Sequence, residues 1–180
     1  MFSDPEKNVL EFGFIPGQKV VDLGSGAGHY VLALSKLLGP TGQVFAVDLD
    51  QNTLGKIKND SVKEGRNNVE VIWGDIEKSN GTRLKDALAD GAVFSNILFQ
   101  LTDKAGAIAE AKRIIRPGGR VCVVEWADLA FLSGVLKEHE RQPVSEVEAK
   151  SLFVSAGFNF ERAFNAGEHH YGAIFRKPLQ

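Results

Sequence analysis

Short apolar runs alternate with amphipathic segments along most of the chain. The runs predict five strands, at 20–23, 43–48, 69–73, 92–98 and 121–126. The segments between them predict four helices, at 30–38, 51–64, 82–88 and 103–115. Strands that alternate with helices in this way are typical of an α/β protein with a parallel sheet.

The two ends of the chain carry further elements. Ser3 and Glu6 form a predicted capping box, with Pro5 in the first turn, for a helix that runs to about Phe12 and lies across the sheet edge. A second capping box, Ser145 with Glu148, opens a helix that ends at 156. Strands at 158–163 and 171–177 then form an antiparallel hairpin. The internal helices at 51–64 and 103–115 have predicted N-caps at Asp50 and Thr102.

The first strand runs into the glycine-rich turn Gly24-Ser25-Gly26-Ala27-Gly28, and a helix follows the turn at once. Such a turn brings backbone N–H groups against a ligand. The dinucleotide motif G-x-G-x-x-G does not fit, because His29 stands where its third glycine belongs. Asp22, at the end of the strand, would repel a pyrophosphate but attract an ammonium group. The turn therefore predicts a site for a zwitterion.

Composition narrows the class of ligand. The 180 residues carry a formal net charge of −2 and no basic run, so a small molecule is favoured over a nucleic acid. Cys122, the only cysteine, lies in an apolar run and is expected to pack as a small hydrophobe. The four histidines lack metal-ligand spacing, so no metal is predicted. Without a signal-peptide pattern or a long apolar stretch, the expected compartment is the cytoplasm.

The segment from Asp22 to Gly28 resembles motif I of the class I S-adenosylmethionine (SAM)-dependent methyltransferases, in which an acidic residue precedes G-x-G-x-G. The run at 114–119, Ile-Ile-Arg-Pro-Gly-Gly, resembles the signature that follows a helix in the same superfamily. The pattern over 101–126 is similar to the ubiquinone/menaquinone-biosynthesis methyltransferases. The resemblance implies one domain over 1–180, with 1–16 forming an N-terminal helix packed on the core. It also implies a Rossmann-like, doubly wound seven-stranded sheet, mostly parallel, with an antiparallel last strand.

SAM would be the cofactor and S-adenosylhomocysteine its product. Asp22 is expected to bind the ammonium group and Asp48, at the end of the second strand, the ribose hydroxyls. The family places adenine contacts at Asp75 and Ile76, although an Asx turn alone would also explain Asp75. The predicted cofactor residues are Asp22, Gly24, Ser25, Gly26, Gly28, Asp48, Leu49, Gly74, Asp75, Ile76 and Asn96.

The candidate catalytic residues are Asn96, Glu125 and His29. Asn96 is expected near the sulfonium, at the end of the fourth strand. Glu125 would orient or deprotonate an acceptor hydroxyl, although satisfaction by nearby backbone groups is the commoner case. His29 would act as a neutral base, or it merely caps the helix or contacts the cofactor carboxylate. For His169, His170 and Tyr171, which resemble a His-His-Tyr of the relatives, structural packing is favoured.

No N-P-P-Y or D-P-P-Y tetrapeptide occurs, which disfavours methylation of an exocyclic amine. The expected acceptor is a small, partly apolar molecule, methylated on carbon or oxygen, in a pocket that a second subunit would complete. Its expected aromatic walls are Phe2, Phe12, Phe14, Phe99 and Trp126, although the first three would also serve simply to cap the core. A non-catalytic SAM-binding domain and a nicotinamide-dependent oxidoreductase are the alternatives.

Overall fold

The strands lie side by side in one sheet. The computed structural model describes residues 3–127 and 143–180. Its strands are β1 (Lys19–Leu23), β2 (Gln43–Asp48), β3 (Val69–Trp73), β4 (Ala89–Ser95), β5 (Ile115–Trp126), β6 (Asn159–Gly167) and β7 (His170–Arg176). They form a seven-stranded sheet in the order β3-β2-β1-β4-β5-β7-β6. Strands β1 to β5 pair in parallel, whereas β7 is antiparallel to both β5 and β6.

Helices cover both faces of the sheet. They are α1 (Pro5–Glu11), α2 (His29–Leu38), α3 (Gln51–Lys63), α4 (Lys104–Ile114) and α5 (Glu146–Ser155), with a 3₁₀ turn at Leu98–Gln100. Helices α1, α2 and α3 bury apolar side chains in one hydrophobic core, and α4 and α5 in the other. Because side chains alternate along a strand, β1 contributes Val20 to the first core and Val21 and Leu23 to the second. No described helix is long and apolar enough to cross a membrane.

The chain reverses its winding direction between β1 and β4. From β1 it proceeds outward to β2 and β3, and it then returns to β4 on the other side of β1. In open α/β sheets of this kind, ligands bind in the crevice beyond the carboxyl ends of the strands at the reversal point. The predicted fold class, a mostly parallel seven-stranded sheet with a reversed last strand, is confirmed.

Several predicted bounds agree with the structure. Strands β2 and β3 begin and end as predicted. Asp50 caps α3, since its side chain accepts a hydrogen bond from Asn52 N (2.9 Å). Ser145 caps α5 by accepting from Glu148 N (3.2 Å). These signals depend on residues close in sequence, so they can be read without knowledge of the tertiary fold.

Two predicted caps were wrong by one residue. Asp4, not Ser3, caps α1, and Asp103, not Thr102, caps α4. Ser3 is drawn away because its hydroxyl bonds the hydroxyl of Tyr30 (2.9 Å). In both pairs the cap is the aspartate, whose charged oxygen is a stronger acceptor for helix N–H groups than a hydroxyl.

The predicted helix at 82–88 is absent from the structure. Arg83 and Ala87 have φ values of +59° and +53°, which no α-helix allows. The backbone N–H of Thr82 and its hydroxyl both donate to the buried carboxylate of Glu110 (3.1 and 2.6 Å). Arg113 joins the same carboxylate (2.7 Å) and also donates to the carbonyl of Leu84 (2.8 Å). Contacts with α4 therefore hold this segment as turns.

The fourth and fifth strands differ from the prediction at their ends. Strand β4 ends at Ser95, because Asn96 has a φ of +52° and starts a turn that leads into the 3₁₀ segment. Strand β5 begins at Ile115, before the Pro-Gly-Gly run, since Ile115 pairs with Ala89 across an irregular register. In the last hairpin, both strands extend toward the connection, and β7 begins at His170.

Helix α1 packs on α2 and reaches the edge strand β6. The side-chain amide of Asn8 donates to the hydroxyl of Tyr30 (2.8 Å) and to the carbonyl of Ala166 (3.0 Å). Arg162 of β6 also bonds the backbone carbonyl of Glu11 (2.6 Å). The N-terminal segment thus lies beside the carboxyl edge of the sheet, close to the reversal point.

Candidate functional site

Two adjoining cavities open at the carboxyl edge of the parallel strands. Cavity A, of about 360 Å³, is lined by residues at the ends of β1, β4 and β5 and at the start of β7, including Asp22, Asn96, Trp126 and His170. Cavity B, of about 470 Å³, is lined by residues at or just after the ends of β2 and β3, including Asp48 and Asp75. Gly24, Gly26 and Gln100 line both. The glycine-rich turn is therefore the shared wall of one elongated site.

The cavities contain every residue predicted to bind the cofactor. Cavity A is lined by Asp22, Gly24, Ser25, Gly26, Gly28 and Asn96. Cavity B is lined by Asp48, Leu49, Gly74, Asp75 and Ile76. The topology thus brings together residues that lie up to 74 positions apart in the chain. A ligand that spans both cavities would contact the whole set.

The three glycines of the turn all have positive φ values, between +47° and +81°. A Cβ on Gly24 would lie 2.5 Å from Ile97, and one on Gly28 would lie 2.6 Å from Ile57, so packing excludes side chains there. A Cβ on Gly26 would meet nothing within 4 Å and would extend into open space beside both cavities. Glycine at 26 therefore keeps room for a ligand, while the other two permit the close approach of neighbouring elements.

The turn offers fewer free N–H groups than its sequence indicates. Gly24 and Ser25 donate to the carbonyl of Val47 (2.9 and 3.1 Å), and Gly28 donates to the carbonyl of Ser25 (2.9 Å). At the start of α2, Gly28 is the N-cap and has no side chain to satisfy the first turn. The donors left for a ligand include the backbone N–H of Ala27 and those at the helix N-terminus, where an anionic group is also favoured by the helix dipole.

Asp22 is a buried carboxylate that faces a cavity. Asp22 is only 2% exposed, and its Oδ1 atom has no hydrogen-bond partner among the described residues. Burial, together with the nearby charge of Asp48, raises the pKa of Asp22 to about 7. An orphaned buried carboxylate of this kind costs free energy unless a cation or donor pairs with it. The site therefore fits a ligand with an ammonium group.

Asp48 is held by backbone groups on both sides of the site. Its Oδ2 accepts a hydrogen bond from Gly26 N and its Oδ1 accepts one from Asp50 N, both at 2.9 Å. An ionised carboxylate has about four acceptor positions, so two remain for a ligand in cavity B. Asp48 thus closes the glycine-rich turn and can still accept a pair of hydroxyl groups.

Asp75 forms the Asx turn that the sequence allowed as an alternative interpretation. Its Oδ1 accepts from Glu77 N (2.9 Å), and the residue lines cavity B beside the buried Ile76. The two interpretations are compatible, because the carboxylate keeps further acceptor positions. The turn places Asp75, Ile76 and Glu77 in the wall of cavity B.

Asn96 has strained backbone and an unsatisfied side chain. Its φ of +52° is uncommon outside glycine, although asparagine tolerates it better than most residues. Its Oδ1 is buried in the wall of cavity A without a hydrogen-bond partner in the described part of the chain. Gln100, which lines both cavities, donates its side-chain amide to the Asn96 carbonyl (2.8 Å) and supports the turn.

Of the other two predicted catalytic residues, the structure brings only His29 to the site. His29 is exposed at the start of α2 and lines cavity A. Glu125 is 1% exposed and lines neither cavity. Its Oε1 accepts from Leu98 N (2.7 Å), and burial raises its pKa to about 8. Glu125 thus supports the turn that carries Asn96 through Oε1, while its buried Oε2 has no hydrogen-bond partner among the described residues.

The predicted aromatic wall is wrong for three of its members. Phe12 and Phe14 are buried in the core, where Phe12 stacks on Tyr30 at 6.1 Å between ring centroids. Phe99 packs against the opposite core. Trp126 does line cavity A, and Phe2 lies outside the described residues. The sequence pattern shows that these side chains are apolar. It does not show whether each one faces a hydrophobic core or the cavity.

Sequence reasoning missed several residues that line cavity A, namely Ser3, Pro5, Tyr30, Ser95, Gln100 and His170. Tyr30 and Ser95 each adjoin a predicted site residue, so proximity in sequence was an available signal. His170 stood out only in the His-His-Tyr run, where packing was preferred. For Ser3 and Pro5, only the docking of α1 beside the site reveals the contact.

The strand order, the glycine-rich turn and the acidic residues near the carboxyl ends of β1, β2 and β3 define a class I methyltransferase fold. A family model described as a methyltransferase domain matches residues 15–170. A SAM-dependent methyltransferase from Aquifex aeolicus has a similar structure, with 27% identity and a TM-score of 0.81 over 97% of this chain and 89% of that one.

Two curated relatives are longer than this chain. UbiE of Cupriavidus taiwanensis, a ubiquinone/menaquinone biosynthesis C-methyltransferase, is 32% identical over 119 residues, which cover 66% of this chain and 47% of that protein. An uncharacterized 37.1 kDa protein in transposon TN4556 of Streptomyces fradiae is 36% identical over 118 residues, covering 64% and 33% of the two chains. The matched part is thus between a third and a half of these relatives' length.

The chain belongs to the methyltransferase domain family, and it is a class I, SAM-dependent member of it. The predicted resemblance is confirmed, and S-adenosylmethionine is the cofactor that this membership implies. The residues of the site fit that group, because Asp22 offers an unpaired buried carboxylate and Gly26 leaves open space beside both cavities.

Proposed function

We propose that this chain transfers a methyl group from SAM to a carbon or oxygen of a small, partly apolar molecule held in cavity A. The observation that carries the proposal is the pair of adjoining cavities that share the glycine-rich turn. When bound, SAM supplies an electrophilic methyl group on a sulfonium, a good leaving group. The chain then has to bind the acceptor, align it with the methyl group and exclude water.

The cofactor half of the site would use three carboxylates. Asp22 pairs with the ammonium group, which would satisfy its orphaned Oδ1. Asp48 accepts the ribose hydroxyls with the acceptor positions that Gly26 and Asp50 leave open. Asp75 and Ile76 meet the adenine in cavity B. The N-terminus of α2 takes the carboxylate of the amino-acid part.

The acceptor half would be the part of cavity A beyond β4. Asn96 stands between the two halves, because it follows the strand next to β1. Its free Oδ1 can position a polar group of the acceptor, and the ring of Trp126 supplies apolar surface. Glu125 acts through the turn at 96–98 and is a positioning residue in this scheme. His29, on the cofactor side, is better suited to contact the cofactor than to remove an acceptor proton.

The remaining expectations concern partners. The family supports a small molecule as substrate, and the net charge of −2 with no basic run argues against nucleic acid. A homodimer in which a second subunit completes the acceptor pocket stays a prediction. A cytoplasmic location likewise stays a prediction from the sequence.

The proposal is tested with SAM labelled on its methyl group. The protein is incubated with a small-molecule extract, with total RNA and with total protein in separate reactions. We expect label in the small-molecule extract alone, and we expect Asp48→Ala to reduce it strongly. Label that enters only RNA or protein would overturn the acceptor class. Binding of SAM without transfer to any of the three would favour the non-catalytic binding domain instead.

A further inference from the structure

Unsatisfied buried polar atoms concentrate around cavity A. In the described part of the chain, three side chains that line this cavity have such atoms: Asp22 at Oδ1, Asn96 at Oδ1, and His170 at both ring nitrogens. A buried polar group without a partner destabilises the folded state, so each one calls for an explanation. The ammonium of SAM would account for Asp22. It leaves His170, with two unsatisfied atoms, unexplained.

His170 lies on the acceptor side of the cavity. It is the first residue of β7 and pairs with Trp126, the last residue of β5, with the two rings 4.2 Å apart. The sheet order β1-β4-β5-β7 sets β7 two strands beyond β4. At a spacing of about 4.8 Å per strand, His170 is displaced from Asn96 by roughly 10 Å, away from the glycine-rich turn. That distance suits a second small molecule beside the cofactor.

The imidazole of His170 is neutral over the physiological range. The residue is 4% exposed, and burial, with the neighbouring His169 as a second cause, lowers its pKa to about 4. Its cavity neighbours Trp126, Ser95 and Asn96 carry no charge, and Asp22 lies at the far end of the same cavity. A neutral imidazole has one N–H donor and one acceptor nitrogen, and neither has a hydrogen-bond partner among the described residues.

We propose that His170 binds the methyl acceptor, its unprotonated ring nitrogen accepting a hydrogen bond from an acceptor hydroxyl while Trp126 packs against the apolar part of that molecule. The inference rests on the proposed function. Where the hydroxyl oxygen is itself methylated, its proton moves to this nitrogen and its electron pair forms the bond to the methyl carbon. The electrons of the broken carbon–sulfur bond stay on sulfur, and the imidazolium then releases its proton to solvent.

The test uses phenol and anisole, a matched pair in which only phenol can donate a hydrogen bond. The protein is saturated with S-adenosylhomocysteine and carries ¹⁵N-labelled histidine. We expect phenol to shift the ¹⁵N resonance of the acceptor nitrogen of His170 and anisole to leave it in place. Phenol should also bind about fivefold more tightly than anisole, the ratio that one net hydrogen bond supplies.

Two variants separate recognition from packing. His170→Phe keeps a ring beside Trp126 and should lose the preference for phenol, whereas the control His169→Phe should retain it. Both should bind S-adenosylhomocysteine as the parent does. Equal binding of phenol and anisole to the parent, or an undiminished preference in His170→Phe, would overturn the proposal. If His170→Phe does not fold, the resonance of the parent protein still decides, and failure of S-adenosylhomocysteine to bind the parent would count against the proposed function instead.

Discussion

Asp22 and Asp48 end neighbouring strands but have different surroundings. Asp22 is enclosed and has an oxygen without a partner among the described residues, whereas Asp48 is bonded to two backbone N–H groups. Desolvation therefore raises the pKa of Asp22 to about 7. One carboxylate is poised to gain a cation, and the other is already fixed as part of the turn.

Asp48→Ala should weaken both SAM and methylthioadenosine, which shares the nucleoside but lacks the amino-acid half. Loss of a charged acceptor for two hydroxyls costs about 1.5–3 kcal/mol, or roughly 10- to 150-fold in affinity. Isothermal titration calorimetry measures both ligands. Asp60→Ala, which removes an exposed ion pair on α3, is the matched control and should bind normally. Unchanged SAM affinity in Asp48→Ala would remove the ribose assignment.

Asp22 should make SAM affinity depend on pH. Only its ionised form attracts the ammonium group, so affinity should fall about tenfold for each pH unit below about 7. Methylthioadenosine should show no such dependence, and Asp22→Asn should weaken SAM far more than methylthioadenosine. Equal losses for the two ligands would mean that Asp22 shapes the turn and does not recognise the ammonium group.

The raised pKa of Asp22 also makes the stability of the folded protein depend on pH. The pKa of Asp22 is higher in the folded state than the usual value near 4, so the carboxyl favours folding below pH 4 and this contribution is lost as the pH rises through about 7. Asp22→Asn should therefore melt at a higher temperature than the parent at pH 8 without ligand, and the gain should shrink at pH 5. Differential scanning calorimetry at both pH values measures it. A lower melting temperature for Asp22→Asn at pH 8 would contradict the assignment.

At the scale of elements, α4 holds the segment that follows β3. Glu110 accepts hydrogen bonds from Asn80 N (3.0 Å), from Thr82 and from Arg113. Although burial opposes ionisation, the bonds from Arg113 and Thr82 lower the pKa of Glu110 to about 2. This network replaces the helix predicted for 82–88. The loop that contains Asp75 is thereby anchored from its far end.

Glu110→Ala should destabilise the fold by about 1–3 kcal/mol, because the backbone N–H groups of Asn80 and Thr82 lose their acceptor, whereas Arg113 keeps Asp86 and the carbonyl of Leu84. The depressed pKa stabilises the parent above pH 4.5, and that stability is lost as the pH falls toward 2. The cost of Glu110→Ala should thus be smaller at pH 3 than at pH 7. Urea denaturation at the two pH values measures it, with the exposed Glu64→Ala as control. A cost of the same size at both would refute the ionic account.

For the whole molecule, the two cavities form one elongated site at the point where the sheet reverses direction. A ligand must span both to contact the three carboxylates together, and the shared wall is a turn that does not fit the dinucleotide motif G-x-G-x-x-G. The ligand that binds the folded state is the one that stabilises it. Thermal stabilisation by an added ligand therefore distinguishes SAM from NAD without knowledge of the acceptor.

SAM at 100 times its Kd should raise the melting temperature by roughly 5–10 °C, which corresponds to about 2.7 kcal/mol for a chain of this size. NAD at the same concentration should have no effect. Thermal denaturation followed by circular dichroism measures both, and S-adenosylhomocysteine serves as a positive control. Stabilisation by NAD and not by SAM would restore the oxidoreductase alternative.

The sequence by itself determined the features that depend on neighbouring residues. Strands β2 and β3, the caps Asp50 and Ser145, and the order of carboxylates at 22, 48 and 75 could all be read from local patterns. The glycine spacing, with Asp22 before it, was enough to favour SAM over NAD. The family resemblance implied the doubly wound, mostly parallel sheet, and the strand order of that sheet in the structure brings the predicted cofactor residues to one edge.

Only the tertiary structure decided contacts between distant segments. The hydroxyl of Ser3 bonds that of Tyr30 and does not cap a helix. Thr82 donates to Glu110 and is not helical. Glu125 accepts a hydrogen bond from the turn at Leu98 and does not line the site. His170 reaches cavity A because β7 runs antiparallel beside β5, which brings its first residue to the carboxyl edge of the parallel strands. The first three share one physical reason. A buried polar group takes whichever partner the fold brings within hydrogen-bond distance, and that partner is remote in sequence.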